Sequence, residues 1–114
     1  MTTPEKKVKG NVVAVLKALD AYYFYPATGG DGRSGVPDVI ACLDGQFIGI
    51  ECKAGSGKTT PLQERELQAI EDAGGIAILY SEPAMDKQDL KELLQKGEGN
   101  WQETVSGVRQ HEKS

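Results

Sequence analysis

The sequence predicts a small α/β domain, with a mixed central β-sheet flanked by helices in the order α-β-β-β-α-β-α. Three observations predict this class: an amphipathic stripe near the N-terminus, two apolar runs joined by Asp44-Gly45, and capped helical segments that flank a further strand. The 114 residues suffice for one compact domain with its own core. We expect that domain to span residues 1–96, and residues 97–114 to form a polar tail anchored by Trp101.

The N-terminal part of the chain predicts a helix followed by a strand. From Glu5 to Ala21, apolar residues recur at steps of three and four, which is the pattern of an amphipathic helix. Thr2 and Thr3 precede this segment as candidate caps, and Pro4 suits the first helical position. Tyr22–Ala27 is rich in aromatic residues and predicts a strand.

The next segment carries the strongest local signal in the sequence, that of a β-hairpin. After a glycine-rich loop over 28–35 come two apolar runs, Val36–Leu43 and Gln46–Ala54. They are joined by Asp44-Gly45, the kind of dipeptide that best supports a two-residue turn.

Beyond the hairpin, a flexible loop over 55–60 leads to a helix that opens at Thr60-Pro61 and ends at Gly74-Gly75. A strand over Gly75–Tyr80 and a helix over Ser81–Lys96 complete the predicted order. The inner face of the last helix is predicted to carry Leu90, Leu93 and Leu94.

Composition and charge exclude several classes of protein. The net charge of −4 and pI near 5.0 argue against a protein that coats nucleic acid through bulk electrostatics, so any grip on phosphate must be local. Candidates for such a grip are Lys6, Lys7, Lys9, Arg33, Lys53, Lys58 and Arg65. No apolar run is long enough to cross a membrane and the N-terminus does not resemble a signal peptide, so a cytoplasmic protein is expected.

The two cysteines do not predict a metal site or a disulfide framework. Cys42 and Cys52 both lie inside apolar runs, without the spacing of a zinc site and without a paired histidine. We interpret both as core residues. His111, the one histidine, lies in the polar tail and receives no role.

The hairpin register brings charged residues together. A two-residue turn at Asp44-Gly45 places Asp38 opposite Glu51, and the strand period of two puts Lys53 on the same face. Two carboxylates about 5 Å apart between Cβ atoms repel one another, which a shared proton or a hard cation would offset. A blander alternative stays open: Asp38 lies in water, Glu51 pairs with Lys53, and nothing is bound. A bulge or a longer turn would remove the register itself.

These same residues carry a resemblance to a known family. Gly35-Val36-Pro37-Asp38, followed after twelve positions by Glu51-Cys52-Lys53, resembles the signature of the PD-(D/E)xK nuclease superfamily. Within it, 32–38 together with 50–54 and Gln63 are most similar to the VRR-NUC domain, which is found in Fanconi-associated nuclease and as free-standing phage and bacterial proteins. The resemblance covers roughly residues 1–80 and implies a restriction-endonuclease-like core.

The resemblance implies a role for each matching residue. Asp38 and Glu51 would ligate Mg²⁺ together with the backbone carbonyl of Cys52, and Mn²⁺ would substitute for it. Lys53 would orient or activate the attacking water, and Glu5 would add a further carboxylate from the first helix. Residues outside this set are also assigned: Gln63 to the metal-bound waters or a phosphate, and Arg33, Ser34, Lys58 and Thr59 to nucleic-acid binding.

Two of these assignments have a structural alternative. Glu5 lies three residues after Thr2, and Gln63 lies three residues after Thr60, so each could close a capping box without any catalytic role. For Gln63 both roles are compatible, because a helix N-terminus also attracts phosphate.

The implied function is a metal-dependent, structure-specific endodeoxyribonuclease that acts as a homodimer on branched DNA such as a Holliday junction. The alternative is a non-catalytic nucleic-acid-binding module on a nuclease fold. A nucleotide-binding P-loop over Gly55–Thr60 is not supported, because the position that requires glycine is Cys52, inside a predicted strand.

Overall fold

A four-stranded mixed sheet with helices on both faces forms the domain, in a computed structural model that describes residues 3–27 and 32–105. The elements are α1 (Pro4–Ala18), β1 (Tyr22–Phe24), β2 (Val39–Leu43), β3 (Gln46–Ala54), α2 (Pro61–Asp72), β4 (Ile76–Glu82), α3 (Lys87–Lys96) and α4 (Trp101–Val105). The predicted element order is confirmed, with α4 in addition. Three predicted features lie wholly or partly outside the described residues: the candidate cap Thr2, residues 28–31 of the predicted loop, and the end of the predicted tail with His111.

The hairpin register is confirmed. Asp44 and Gly45 both have positive φ, +53° and +80°, as the favoured two-residue hairpin turn requires. Across this turn β2 pairs antiparallel with β3, and Ile40 lies opposite Gly49. The sheet order is β1-β2-β3-β4, antiparallel except for the parallel pair β3 and β4, so β3 lies inside the sheet.

The alternation of side chains along β3 divides the core into two layers. The larger layer joins α1 and α3 to one face of the sheet, and includes Val12, Leu16, Ile50, Cys52 and Leu90. The smaller layer lies on the other face and consists of Leu67, Ala77 and Trp101, with Ile70 packed against it. Glu51 and Lys53 therefore lie on the face that α2 covers.

Side-chain caps explain where the helices begin. The Thr3 hydroxyl accepts from the Lys6 amide at 3.1 Å, so α1 begins at Pro4. At α2, Thr60 and Gln63 form a reciprocal capping box. α1 ends at Ala18, three residues earlier than predicted.

Two predicted boundaries are wrong by several residues. β2 begins at Val39 and not at Val36, because Pro37 has no backbone N–H to donate to a ladder. The last long helix begins at Lys87 and not at Ser81, because β4 continues its pairing with β3 to Glu82. Residues 36–38 instead lead into the candidate site, and Ser81 and Glu82 belong to β4.

Smaller differences concern β1, Cys42 and the tail. β1 is only three residues long, and Cys42, interpreted as a core residue, is exposed, because α2 packs over β3 and β4 on its face of the sheet. The segment predicted as a tail contains α4, and Trp101 is buried in it, as the anchor prediction expected. The indole Nε1 of Trp101 donates to Gln68 at 3.1 Å, which fastens α4 to α2.

Within the parts of the chain that the structure describes, no helix has both the length and the apolar character needed to cross a bilayer.

Candidate active site

The loop over residues 32–38 places Asp38 beside the end of β3. Gly35 has φ +80°, and a Cβ there would lie 2.7 Å from the backbone of Leu62 in α2. Pro37 is buried against Gly49, whose ideal Cβ position lies 3.0 Å from the proline ring. Glycine is therefore required at Gly35, while at Gly49 a Cβ would also lie 2.5 Å from Cδ1 of Ile70; both close approaches hold the loop against α2 and β3 immediately before Asp38.

The Asp38 side chain accepts a backbone hydrogen bond from β3 just beyond the point where the pairing of β2 with β3 ends. The last pair of the two strands is Val39 with Ile50. One residue beyond it, a carboxylate oxygen of Asp38 accepts a hydrogen bond from the backbone amide of Cys52 at 2.9 Å. This bond satisfies an amide that would otherwise lose its strand partner, and it fixes the Asp38 side chain next to Glu51.

Glu51 and Lys53 form a buried ion pair on β3. The Nζ atom of Lys53 lies 3.3 Å from Oε2 of Glu51. Glu51 is 2% exposed and Lys53 is 9% exposed. The other oxygen of Glu51, Oε1, is buried and has no hydrogen-bond partner among the described residues. One acceptor on Glu51 therefore remains unsatisfied.

The environment favours the protonated form of Glu51. Burial and the negative charge of Asp38 together raise the pKa of Glu51 to about 7, against the opposing charge of Lys53. A carboxyl group held in this condition binds either a proton or a cation. Asp38 is partly exposed, so the site has an opening to solvent on that side.

The donor set fits a hard divalent cation. Two carboxylates converge, and one of them carries the unpartnered buried oxygen. The Cys52 thiol is not a candidate ligand, because burial raises its pKa and keeps it protonated. Among the residues that the structure describes, no group of three or more His, Cys, Asp or Glu side chains is placed to hold a metal. The remaining positions around a cation would have to come from backbone, water or substrate oxygens.

Two solved structures with this arrangement of elements have names that contain "VRR_NUC domain". One named "VRR_NUC domain" superposes with a TM-score of 0.66 at 23% identity, covering 82% of this chain and 97% of that one. The chain has the VRR-NUC fold. A second, named "VRR_NUC domain protein", has a TM-score of 0.59 at 17% identity, covering 89% of this chain and 94% of that one. The expected fold is thereby confirmed.

Two further comparisons extend the list of relatives. The Holliday junction resolvase Hjc of Archaeoglobus fulgidus superposes with a TM-score of 0.51 at 16% identity, covering 72% of this chain and 76% of that one. "Putative nuclease p44" of Acyrthosiphon pisum secondary endosymbiont phage 1 is 41% identical over 64 residues, which are 55% of this chain. The match spans 63% of that protein's length. No protein-family model matches the chain.

Within this VRR-NUC fold, the second loop at the site covers Lys53. The backbone amide of Gly57 donates to the carbonyl of Ala54 at 3.1 Å, so the chain turns back at the end of β3. An ideal Cβ on Gly57 would lie 3.7 Å from Cδ of Lys53. The loop thus lies over the aliphatic part of the lysine, while residues 55–58 are themselves exposed.

Gln63 and Thr59 have local partners. The side-chain oxygen of Gln63 accepts from the Thr60 amide at 2.9 Å, and the Gln63 amide donates to the Thr60 hydroxyl at 3.2 Å. The capping alternative is thereby confirmed, while a further role at the metal waters stays a prediction. Thr59 donates its hydroxyl to Glu64 at 2.6 Å, and Lys58 is exposed.

Glu5 lies apart from the pair formed by Asp38 and Glu51. It is exposed on the first turn of α1, and α1 packs on the opposite face of the sheet, where Cys52 is buried. The negative charge of Glu5 contributes to the raised pKa of the Cys52 thiol, so it lies at the same end of the sheet. Its predicted place in a metal site stays a prediction.

Arg33, whose binding to nucleic acid stays a prediction, is paired with a residue that the sequence reasoning missed. Its guanidinium contacts both carboxylate oxygens of Glu66 on α2, at 2.9 and 2.7 Å. Glu66 is buried, directly before the core residue Leu67. An acidic residue on the apolar stripe of α2 is the signal that could have revealed it. Ser34, next to Arg33, is exposed.

Proposed function

We propose that this protein is a Mg²⁺-dependent nuclease that hydrolyses phosphodiester bonds in branched DNA, four-way junctions included. The observation that carries the proposal is the buried, unpartnered oxygen of Glu51, a carboxylate that pairs with Lys53 through its other oxygen and is repelled by the charge of Asp38. A non-catalytic binding module has no physical reason to bury a carboxylate in this condition, since it costs stability. The nuclease name of the phage relative and the resolvase name of the archaeal neighbour support the same class of activity.

Asp38, Glu51 and Lys53 would each have a separate role in this reaction. Asp38 and Glu51 would hold Mg²⁺, with the backbone carbonyl of Cys52 as a third ligand and Mn²⁺ as a substitute. The chemistry that such an ion supplies is polarisation of a phosphoryl oxygen and a lower pKa for a bound water. Lys53, already held beside Glu51, would orient that water and place positive charge where negative charge develops.

A panel of labelled DNA substrates tests the proposal. Four-way junctions, flaps, splayed arms and plain duplexes are each incubated with Mg²⁺, Mn²⁺, Ca²⁺ or EDTA. We expect cleavage with Mg²⁺ and Mn²⁺, none in EDTA, and the highest rate on the junction. Binding without cleavage of any substrate would favour the binding module instead.

Two variants tie the activity to the site. Glu51→Gln and Lys53→Ala should each abolish cleavage and leave the Kd for DNA within a few fold, because they remove the chemistry and not the grip on phosphate. Lys96→Ala, at the end of α3, is the matched control, since Lys96 is an exposed lysine remote from β3. Turnover that persists in either site variant would contradict the assignment.

We further propose that the protein acts as a homodimer. On the sheet face that carries Glu51, α2 packs over β3 and β4, and among the described residues aromatic rings on the other half of this face are exposed. Tyr22 is 71% exposed, Phe24 45% and Phe47 49%, and the register aligns Tyr22, Cys42 and Phe47 in one row. At roughly 150–250 Å² per ring these side chains expose a few hundred Å², enough for the apolar centre of an interface of about 800 Å² per subunit.

Light scattering at micromolar concentration tests the dimer. The wild type should have twice the mass of one chain, and the double variant Tyr22→Ser with Phe24→Ser should shift toward monomer. Tyr25→Ser is the control, because Tyr25 is also half exposed but contacts Lys9 on α1. A monomeric wild type would contradict the proposal.

A further inference from the structure

We propose that Arg33 is a positioning residue: by binding Glu66 it holds the 32–38 loop on α2 and thereby keeps Asp38 beside Glu51. This differs from a role in binding DNA phosphate. The kinetic part of its test rests on the proposed nuclease function, whereas the structural part does not.

The contact between Arg33 and Glu66 has the geometry of a strong pair. Nε donates to one carboxylate oxygen at 2.9 Å and a terminal nitrogen donates to the other at 2.7 Å, so the guanidinium binds in two parallel bonds. Glu66 is 6% exposed, and its helix forms part of the core through Leu67. The Arg33 guanidinium lowers the pKa of Glu66, and Glu66 in turn raises the pKa of Arg33. A phosphate would have to compete with this carboxylate for the same donors.

A second arginine shows that neutralising Glu66 is not the main task of Arg33. Arg65, on α2 itself, places a terminal nitrogen 3.3 Å from Oε2 of Glu66, the oxygen that the terminal nitrogen of Arg33 also contacts. Without Arg33, Glu66 would still have a cation beside it. Arg65 cannot tie the loop to α2, however, because it belongs to α2. The contribution specific to Arg33 is the connection between the two segments.

Between Arg33 and the candidate active site, three further loop residues make contacts with α2 or β3. Gly35 approaches the backbone of Leu62, Pro37 packs on Gly49, and Asp38 accepts from the Cys52 amide. Release of the loop at Arg33 would remove its charged contact with α2 and leave the approach of Gly35 to Leu62. We therefore expect Asp38 to lose its fixed position while the sheet itself stays intact.

The kinetic test compares Arg33→Gln with Arg65→Gln on the cleaved substrate. Both variants remove one cation from Glu66, and both side chains are largely exposed, so the fold should persist. Arg33→Gln should lower kcat about 10- to 100-fold with KM within about threefold, since small misplacement of a reacting group costs that much. Arg65→Gln leaves the 32–38 loop tied to α2, so any effect of its lost charge should fall on KM and not on kcat. A raised KM at unchanged kcat, with the salt dependence of binding reduced by about one charge, would overturn positioning in favour of a phosphate contact.

The structural test measures hydrogen exchange at the Cys52 amide by NMR, in EDTA and without DNA. This amide is protected by Asp38, whereas the amide of Ile78 reports on the sheet. Arg33→Gln should speed exchange at Cys52 at least about tenfold and leave Ile78 unchanged, while Arg65→Gln changes neither. Unchanged exchange at Cys52 would overturn the inference. Because the measurement uses no substrate, it tests the positioning role of Arg33 even if the protein cleaves no DNA.

Discussion

The two loops that enter the candidate site are held in different ways. The 32–38 loop is fastened through side chains that reach outside it: Arg33 to Glu66, and Pro37 against Gly49. The 55–60 loop is fastened mainly at its ends, where the Gly55 amide donates to the Glu82 carbonyl at 2.8 Å and Thr60 caps α2. Between these ends, residues 56–58 are exposed.

This difference follows from what each loop carries. The 32–38 loop ends in Asp38, a carboxylate whose distance from Glu51 determines whether one cation can contact both. The 55–60 loop carries Lys58, an exposed charge that in the proposed function would act on phosphate through water and over several ångströms. A rigid loop suits the first task, and an adaptable one suits the second.

A large contrast should come from adding one methyl group to each loop. Gly35→Ala forces a side chain into a conformation with φ +80° and against the Leu62 backbone at 2.7 Å. We expect it to lower the free energy of unfolding by about 2 kcal/mol or more, and Tm by roughly 8 °C or more. At Gly57 an added Cβ would lie 3.2 Å from the Ala54 carbonyl and in ordinary contact with Cδ of Lys53 at 3.7 Å, without a left-handed φ, so the cost of Gly57→Ala should be well below that.

Thermal melts of the two alanine variants in EDTA measure this contrast. Equal losses of Tm would show that the two loops are held equally firmly.

The next effect concerns pH and the buried carboxylate of Glu51. Because the folded pKa of Glu51, about 7, exceeds its ordinary value of 4.5, the folded protein binds more protons than the unfolded chain between these values. The free energy of unfolding contributed by Glu51 should therefore fall as pH rises from about 4.5 through 7, by on the order of 3 kcal/mol. Above that range the loss is complete.

Melts of the wild type and of Glu51→Gln at pH 5 and pH 8 in EDTA isolate this contribution. The variant lacks the titrating group, so the wild type alone should lose this part of its stability at the higher pH. If both proteins lose the same amount, the buried carboxylate is not the cause.

A smaller effect is expected at Asp38, which the fixed loop presents to Glu51. Asp38→Asn keeps an oxygen that can accept from the Cys52 amide but removes the repulsion, which costs about 0.2–1 kcal/mol. In EDTA the variant should be as stable as the wild type or more so. Mg²⁺ at about ten times its Kd should stabilise the wild type by about 1.4 kcal/mol and the variant much less.

The same melts, repeated with and without Mg²⁺, give the answer. A variant that is less stable in EDTA and still responds fully to Mg²⁺ would show that Asp38 and Glu51 do not share a cation.

The smallest effect should come from the exposed part of the 55–60 loop. Lys58→Ala should weaken DNA binding a few fold at every sequence and reduce its salt dependence by about one charge, with kcat unchanged. Filter binding at several salt concentrations measures this, with Lys96→Ala as control. A loss of kcat would mean that the loop also positions reacting groups.

Local patterns in the sequence determined much of this structure. The Asp44-Gly45 turn sets the pairing of β2 with β3, and the strand period then places Glu51 and Lys53 on one face. The caps at Thr3 and Thr60 begin their helices as predicted. These features depend on neighbours a few residues apart, so composition and spacing are enough to specify them.

Other features were decided only by contacts between distant segments. Arg33 and Glu66 are far apart in sequence, and only the packing of the 32–38 loop on α2 joins them. Cys42 is exposed because α2 stops short of β2, although its strand is as apolar as the rest. Whether Arg33 contacts phosphate or a buried carboxylate depends on which helix lies beside it. No pattern within the loop itself contains that information, because a charged side chain is stabilised by whatever partner the tertiary structure brings within reach.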